Sequence, residues 1–472
     1  MSAPTSRDPH DARLGLTQRL PHAESSTPVA VRRTTDAACL RELADGARIV
    51  TGNAGDHPLI LQLLVQARQA ALAEDFQSRL DEPGYRPANR LLLRRQNLVL
   101  GHVHVASHTA LFDRQRTPIV KLEDFASLPE YGKAGYEDQL IAAAESIAAD
   151  EGAVIAIVHA DRPECFQRQG WSLVRGQGHT RANARAVLAQ LDAHELARRR
   201  RRRPSVEVRT WRHFELDHVR EIYDIAAADL WGPVYRSEPC WQWLIGRKAQ
   251  DQVLLAVDNR KPAATNGHAE GRGEEQIVGY AAVSGSCIIE MMTLPEFAAA
   301  SVPLLARACR DALDRDHHSI SLYTSATDPL HELLVTAGGA WIADKSSVEP
   351  RWMMKLLSPE RWVERSYPLW RGRARAAGVP RPLEFGLVAG ERRFRFTLTR
   401  RSSRLERTED VPAERVECDG PTLESLLVGN LPVTAAVARG QLRLSHPEIG
   451  EALAALFPAR LFWQSPLEQM RL

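Results

Sequence analysis

The sequence predicts a mixed α/β (α+β) fold: two copies of one strand–turn–helix–strand unit, then a smaller α/β module. Three observations predict it. Ile119–Leu128 and Val154–His159 are apolar runs of strand length, and between them Leu140, Ala144, Ile147 and Ala148 recur at helical spacing over Tyr136–Glu151. The pattern then returns. Ile277-Val-Gly-Tyr-Ala-Ala-Val283 echoes Val99-Leu-Gly-His-Val-His-Val105, and Leu294-Pro-Glu-Phe297 echoes Leu128-Pro-Glu-Tyr131. Finally, Leu383–Val388 and Arg392–Leu398 alternate in hydrophobicity around Ala389-Gly-Glu391, as two antiparallel strands joined by a tight turn would.

In chain order, residues 1–44 are rich in Ser, Thr, Pro, Asp and Arg and read as a disordered tail. Strand structure starts near Arg48-Ile-Val-Thr51, and a helical pattern runs from Ile60 to Leu72. Leu98–Val105 is a strand with Val103 and Val105 on one face and His102 and His104 on the other. No acidic or Cys partner stands at short range, so no metal site is assigned to these histidines. The turn Leu128-Pro-Glu-Tyr-Gly-Lys-Ala-Gly135 places glycines just before a helix, where free N–H groups and the helix dipole favour an anion.

A further helix is expected over Gly176–Leu191, before the arginine run Arg198–Arg203 and Pro204. Without interleaved aromatics that run reads as a solvated linker, residues 198–205, more readily than as a nucleic-acid patch. From Val206 the second copy follows: strand Val206–Trp211, helix Glu215–Asp224, strand Val253–Val257, a polar insertion Asp258–Glu275, strand Ile277–Val283, helix Val302–Leu313 and strand Ser319–Tyr323. Its turn, Ala298-Ala-Ala-Ser-Val302, lacks glycine and would let a phosphate approach the backbone poorly. Helical patterns at Pro421–Val428, Pro432–Arg439 and Glu448–Phe457 close the last module.

With 472 residues the chain has room for several domains. Lys and Arg total 61 against 59 Asp and Glu, so a net charge of +2 points to no polyanionic partner. No apolar run approaches the roughly 18 residues a membrane helix needs, and Met1–Arg33 lacks the apolar core of a secretory signal. Cys39, Cys165, Cys240, Cys287, Cys309 and Cys418 are neither paired as CxxC nor clustered, which points to a reduced, cytoplasmic setting without a metal site.

Leu128–Gly135 with its helix, and Phe166-x-x-x-Gly170-Trp171 after the returning strand, resemble the acetyl-CoA loop and the Tyr-x-x-x-Gly-Phe/Trp segment of the GNAT N-acetyltransferases. The last part, with Leu426–Val433, Gly440–Leu444, Leu453–Phe457 and Phe462–Leu467, resembles a sterol-carrier-like module. In this order the modules are similar to the enhanced-intracellular-survival (Eis-like) acetyltransferases. The resemblance implies a GNAT-like domain over residues 45–197, a degenerate copy over 206–357 and a sterol-carrier-like domain over 358–472. It implies acetyl-CoA as cofactor, a primary amine of a small molecule or protein as acceptor, and a homo-oligomer.

By the same resemblance, backbone groups of Phe125, Ala126 and Ser127 line the acetyl and pantetheine arm. Gly132, Lys133, Gly135 and Tyr136 meet the pyrophosphate. The proton acceptor is the C-terminal carboxylate of Leu472, or Glu123 or Asp124, which as strand neighbours are expected to face opposite sides. Tyr136 and Cys165 are stand-ins for an acid, and His159 and Asp161 border the cleft. The sequence departs from the family pattern at Gly132, where Arg or Gln is usual, at Glu137, where Gly or Ala is usual, and at Phe166, where many members carry an acid-donating tyrosine. These departures leave a second reading open: a protein that binds a CoA ester or small ligand with impaired catalysis.

Overall fold

A computed structural model of the chain describes residues 38–67, 73–131, 135–176, 178–198, 206–259, 276–343 and 351–469. The first part contains β1 (Cys39–Glu42), β2 (Arg48–Thr51), α1 (His57–Gln66), α2 (Ala73–Leu80), β3 (Arg90–Arg95), β4 (Leu98–Phe112), β5 (Gln115–Ser127), α3 (Tyr136–Asp150), β6 (Ile155–Ala160), α4 (Pro163–Arg168) and β7 (Ser172–Leu173). The middle contains β8 (Gly178–Asn183), α5 (Ala184–Arg198), β9 (Val206–Thr210), α6 (Leu216–Ala227), β10 (Trp231–Val234), α7 (Glu238–Gly246), β11 (Gln252–Asp258), β12 (Gln276–Ser284), β13 (Cys287–Thr293), α8 (Ser301–Asp314), β14 (Ser319–Leu322), α9 (Pro329–Thr336), β15 (Ala340–Ala343) and β16 (Arg351–Leu356). The last part contains α10 (Pro359–Arg365), α11 (Tyr367–Ala376), β17 (Leu383–Ala389), β18 (Arg392–Leu398), β19 (Ser403–Arg407), β20 (Arg415–Cys418), α12 (Gly420–Leu427), α13 (Val433–Ala438), β21 (Arg443–Leu444) and α14 (Pro447–Leu456).

Two features differ from the sequence reading. β1 lies inside the stretch read as a tail and pairs antiparallel with β2. The helix expected over Gly176–Leu191 begins only at Ala184, because Gly178–Asn183 is a strand that finds partners on both sides. Short-range periodicity does not see such a partner. The arginines at 199–203 and the polar insertion at 260–275 lie outside the described residues.

The first sheet runs β1-β2-β3-β4-β5-β6-β16-β7, with β10 also pairing β4, and the second runs β15-β8-β14-β13-β12-β11-β9. Each sheet therefore takes a strand from beyond the boundaries drawn on the sequence. β8 precedes the arginine run yet pairs with β14 and β15, and β16 pairs with β6 and β7. The strands are exchanged reciprocally, so neither half completes its sheet alone. The repeated motif takes the same form twice. Leu128 N–H donates to the Leu100 carbonyl and Leu294 N–H to the Val278 carbonyl; Tyr131 N–H then closes a short turn on Leu128, as Phe297 N–H does on Leu294.

Alternation along β4 and β5 gives the first sheet two unlike faces. One face, with Val103, Val105, Val120 and Leu122, joins α1 and α3 in a core through Ile60, Leu63, Leu140, Ile141 and Ala144. The opposite face contributes Ala110, Phe112, Ile119, Ile155 and Ile157 to the core of the last module, beside Trp362, Trp370, Phe385, Phe396 and Phe457. That module is a sheet of order β19-β18-β17-β20-β21 with its helices packed against it. Residues Phe462–Glu468 then run between the two large sheets. Phe462 joins the last module's core, and Trp463 and Leu467 join a second-sheet core with Val219, Tyr223, Trp241 and Tyr280. No helix of the described residues is long and apolar enough to cross a membrane.

Trp362 is fully buried, meets Phe112, Trp231 and Trp370 edge to face, and donates its indole N–H to the Leu427 carbonyl at 2.9 Å. Trp362→Ala should destabilise the protein by about 3–5 kcal/mol, read as a lowered denaturant midpoint. A midpoint within error of the parent would remove this cluster as the joint between the first sheet and the last module.

Candidate functional site

The site begins with an irregularity in β5. On β4 the single residue Val103 lies between the register pairs His102↔Ala126 and His104↔Glu123, so it faces two β5 residues, Asp124 and Phe125. This is a β-bulge, and Asp124 adopts φ +51° to make it. The left-handed residue overrides simple alternation. Glu123 and Asp124 do not face opposite sides; both carboxylates reach Arg79 at the end of α2. Arg79 bonds Glu123 through Nη1 and lies 3.4 Å from Asp124 Oδ2 through Nε, while Arg90 Nη1 bonds Asp124 Oδ2 at 3.1 Å. His102 holds the bulge from the neighbouring strand, through Nδ1 to the Asp124 carbonyl at 2.8 Å and Nε2 to Arg90 at 3.2 Å.

This arrangement changes the chemistry of both acids. Burial pushes the Glu123 carboxyl up, but Arg79 and then His104 outweigh it and hold it well below the usual range. Asp124 is lowered in the same way, with burial opposed by Arg79 and Arg90. Carboxylates so firmly ionised are weak proton acceptors.

Along the same face, the pairs His104↔Glu123 and Ala106↔Lys121 are followed by His108, so the apolar face that meets the last module turns polar here. Three elements close over it: the turn after α2 with Glu82, the end of α7 followed by Arg247, and the C-terminal segment with Glu468. Lys121 Nζ meets Glu468 Oε2 at 3.2 Å. Arg236 bonds Glu468 through Nε at 2.9 Å and Glu290 through Nη2 at 2.6 Å. The Arg247 guanidinium donates to the Leu467 carbonyl and, at 2.7 Å, to the Gln469 carbonyl. Leu472 lies outside the described residues, three positions beyond this anchored end.

The residues expected to meet a cofactor lie at the other end of β5. Its parallel ladder with β6 ends at Leu122↔Val158, so Phe125, Ala126 and Ser127 run on without a β6 partner while Ala126 and Ser127 stay paired to β4. Gly132 and Lys133 lie outside the described residues. Gly135 caps α3 with φ +71°, and an added Cβ there would meet nothing within 4 Å among the described residues. The Tyr136 hydroxyl donates to Asp45.

Glu137, in the first turn of α3, is buried. It accepts from Ser127 Oγ at 2.5 Å and Cys165 Sγ at 2.8 Å, and pairs with Arg162 at 2.6 Å. Burial would raise its carboxyl; hydrogen bonds from Cys165 and Ser127 and the charge of Arg162 leave it below the usual value. Burial and the Glu137 contact push the Cys165 thiol up to about 11. The two stand-in acids, Tyr136 and Cys165, are therefore engaged with carboxylates. Phe166 is packed between Phe125 and Trp171, at centroid distances of 5.1 and 5.2 Å, and His159 stacks on Trp352 at 5.0 Å.

Sequence reasoning missed Arg79, Glu82, His108, Lys121 and Glu468. One signal was present: Lys121 and Glu123 interrupt an otherwise apolar run two positions apart, as do His104 and His108 at even spacing. Even spacing on two paired strands places such residues on one face.

No family model matches the chain, and no curated protein does. Solved structures do. At 16% identity the chain is similar to a GCN5-related N-acetyltransferase from Kribbella flavida, over 89% of this chain and 97% of that one, with a TM-score of 0.63. A GCN5-related N-acetyltransferase from Anabaena variabilis matches at 14% identity, over 89% and 99%, with a TM-score of 0.64. Eis1 from Mycobacterium abscessus matches at 15% identity, over 89% and 99%, with a TM-score of 0.58. The chain has the fold of the GCN5-related N-acetyltransferases. Its likeness to Eis1 runs through nearly the whole of that chain, so the Eis-like resemblance holds for the fold.

His108 carries a pH consequence. Burial, then Lys121, lowers its imidazole to about 4, against opposing effects of Glu123 and Glu468. Between the ordinary value near 6.5 and that lowered one, the unfolded chain binds a proton that the native state does not, so stability rises with pH across this window and is lost as pH drops through it. His108→Gln should remove its share, at most about 3 kcal/mol. The measurement is the denaturation midpoint followed from about pH 7 to pH 4.5; an unchanged slope would mean that His108 charges freely in the folded protein.

Proposed function

We propose that the protein is an N-acyltransferase that takes an acetyl group from acetyl-CoA and delivers it to a primary amine. One observation carries the reading: beyond Leu122 the strand β5 leaves β6, beside a bulge at Asp124 and ahead of a helix capped by a left-handed glycine. A ladder that ends opens backbone groups of Phe125, Ala126 and Ser127 to a thioester arm, and a bulge leaves one residue out of the ladder pairing. Gly135, where an added Cβ would meet nothing among the described residues, suits a close approach by a diphosphate, and we assign Gly132, Lys133 and Tyr136 to the same contact. When bound, acetyl-CoA supplies an acetyl group activated as a thioester.

This chain's residues do the rest. The Phe125–Ser127 backbone orients the acetyl carbonyl. Arg79 and Arg90 fix the Glu123 and Asp124 carboxylates in place and offset their charge. On the strength of the Eis-like resemblance, we assign proton uptake to the terminal carboxylate of Leu472. The C-terminal segment supports this: its described end is tied to Arg247 beside the cleft. We further propose that residues 45–197 and 206–357 are tandem GNAT-like domains, the second degenerate, and that 358–472 is a sterol-carrier-like module.

A specific observation favours the second reading, a CoA-ester binder with impaired catalysis. Glu137 holds a buried negative charge where the helix would meet a diphosphate, and it occupies the Ser127 hydroxyl. Arg162 offsets that charge.

Titration calorimetry of acetyl-CoA separates the outcomes. Saturable binding that Gly135→Trp abolishes would locate the cofactor on this loop. Glu137→Gln should tighten binding about three- to tenfold by removing like-charge repulsion. Absence of binding at millimolar cofactor would end the acyltransferase reading. Binding without turnover across a panel of amines would favour the binder.

A further inference from the structure

The second copy holds an apolar pocket that none of the roles above uses. It lies between α6, α7 and the β11–β12 face and encloses about 320 Å³, counted to its open mouth. Ligand pockets run from roughly 300 to 1,000 Å³, and an apolar cavity of roughly 150 Å³ holds one benzene, so this one is sized for a single substituted ring. Trp211 and Gln250 are half-buried at its rim, whereas Trp241 and Ala282 are buried.

The repeat accounts for the space. In β12, Tyr280 and Ala282 stand where the first copy has His102 and His104, so a polar face has become an apolar one. Val253 pairs with Ala282, whose small side chain leaves room above the strands. Trp241 is fixed edge to face on Tyr223 at 5.3 Å and by the Arg236 guanidinium at 4.7 Å.

Two polar atoms on the lining residues have no hydrogen-bond partner among the described residues: Trp241 Nε1, a donor only, and Gln250 Oε1, an acceptor. Buried polar groups are paired in roughly nine cases of ten, so an unmet donor and an unmet acceptor beside one pocket call for a ligand. The Tyr280 hydroxyl is already committed to Glu290 at 2.6 Å. No charged residue lines the pocket, so a charged ligand would lose its water without a counter-ion. A neutral hydroxyl can both accept and donate, which matches the two unmet atoms.

We propose that the second copy binds a small neutral aromatic alcohol of the phenol class, its ring against the β11–β12 face and its hydroxyl serving Trp241 Nε1 and Gln250 Oε1. Leu467 borders the pocket, its carbonyl accepts from Arg247, and the next residue, Glu468, bridges Lys121 and Arg236. A ligand resting on Leu467 steadies the C-terminal segment and so links the second copy to the polar face of the first.

The test is calorimetry of phenol on the full chain without acetyl-CoA, with toluene as the control that lacks the hydroxyl. Phenol should bind saturably, one per chain, about three- to tenfold more tightly than toluene, the effect of one net hydrogen bond. Gln250 lies outside helix and strand; Gln250→Leu should weaken phenol binding by the same factor and leave toluene unchanged. Ala282→Leu, which fills the pocket, should abolish binding of both, and if that variant does not fold Gln250→Leu decides by itself. Saturating phenol should slow amide exchange at Leu467 and Glu468. Absence of saturable phenol binding at millimolar ligand would overturn the proposal, as would equal affinity for phenol and toluene or parent-like binding by Gln250→Leu. Unchanged exchange at Leu467 would remove the link to the C-terminal segment. With neither acetyl-CoA nor an amine present, the outcome is independent of the acyltransferase reading.

Discussion

Glu468 sits between Lys121 of the first sheet and Arg236, which also holds Glu290 of the second sheet. Arg236 and Glu290 have no exposed side-chain surface. Removing one partner from such a group leaves an uncompensated buried charge, which costs about 3–5 kcal/mol. The C-terminal segment can therefore settle in one register only, with Phe462, Trp463 and Leu467 in their apolar seats and Glu468 bridging two cations. Buried ion pairs of this kind often add little net stability compared with well-packed apolar residues of the same volume. What the network secures is position: the chain end is held against the polar face of the first sheet.

The exchanged strands act in the same direction. β16 completes the first sheet and β8 the second, so each half is open at one place until the other has folded. An unpaired edge inside a sheet leaves a row of backbone donors and acceptors unsatisfied, which makes the two halves cooperative. The last module is bound in turn, because its core is partly the back of the first sheet: Phe112 meets Trp362, and Ile155 and Ile157 lie in the same cluster as Phe385 and Phe396.

The first sheet thus presents one face with two characters. Where it meets the last module it is apolar; further along, over His104, His108, Lys121 and Glu123, it is polar and covered by elements from three other parts of the chain. Charges on that stretch are stabilised only by partners that the tertiary structure delivers, Arg79 from α2 and Glu468 from the far end. The bulge at Asp124 turns two neighbouring carboxylates to one side and so sets their low proton affinity. At the opposite end of β5, Glu137 and Arg162 place a compensated charge pair in the first turn of α3.

Periodicity and repetition in the sequence were sufficient for the elements and their order: β4, β5, α3 and β6, their echoes in β12, α8 and β14, and the β17–β18 hairpin all follow from alternation, helical spacing and turn residues, which act over a few neighbouring positions. The duplicated Leu-Pro-Glu-aromatic turn was legible for the same reason. Which strand sits beside which was not legible, because β8 and β16 find partners far along the chain, where local preference has no information. Nor were the roles of Glu123 and Asp124. Strand alternation set them on opposite sides, whereas a left-handed Asp124, held through its carbonyl by His102 and its carboxylate by Arg90, put both against Arg79. Glu82, His108 and Glu468 carry no motif; folding brought them to one buried polar face from distant parts of the chain, and that depends on the whole structure.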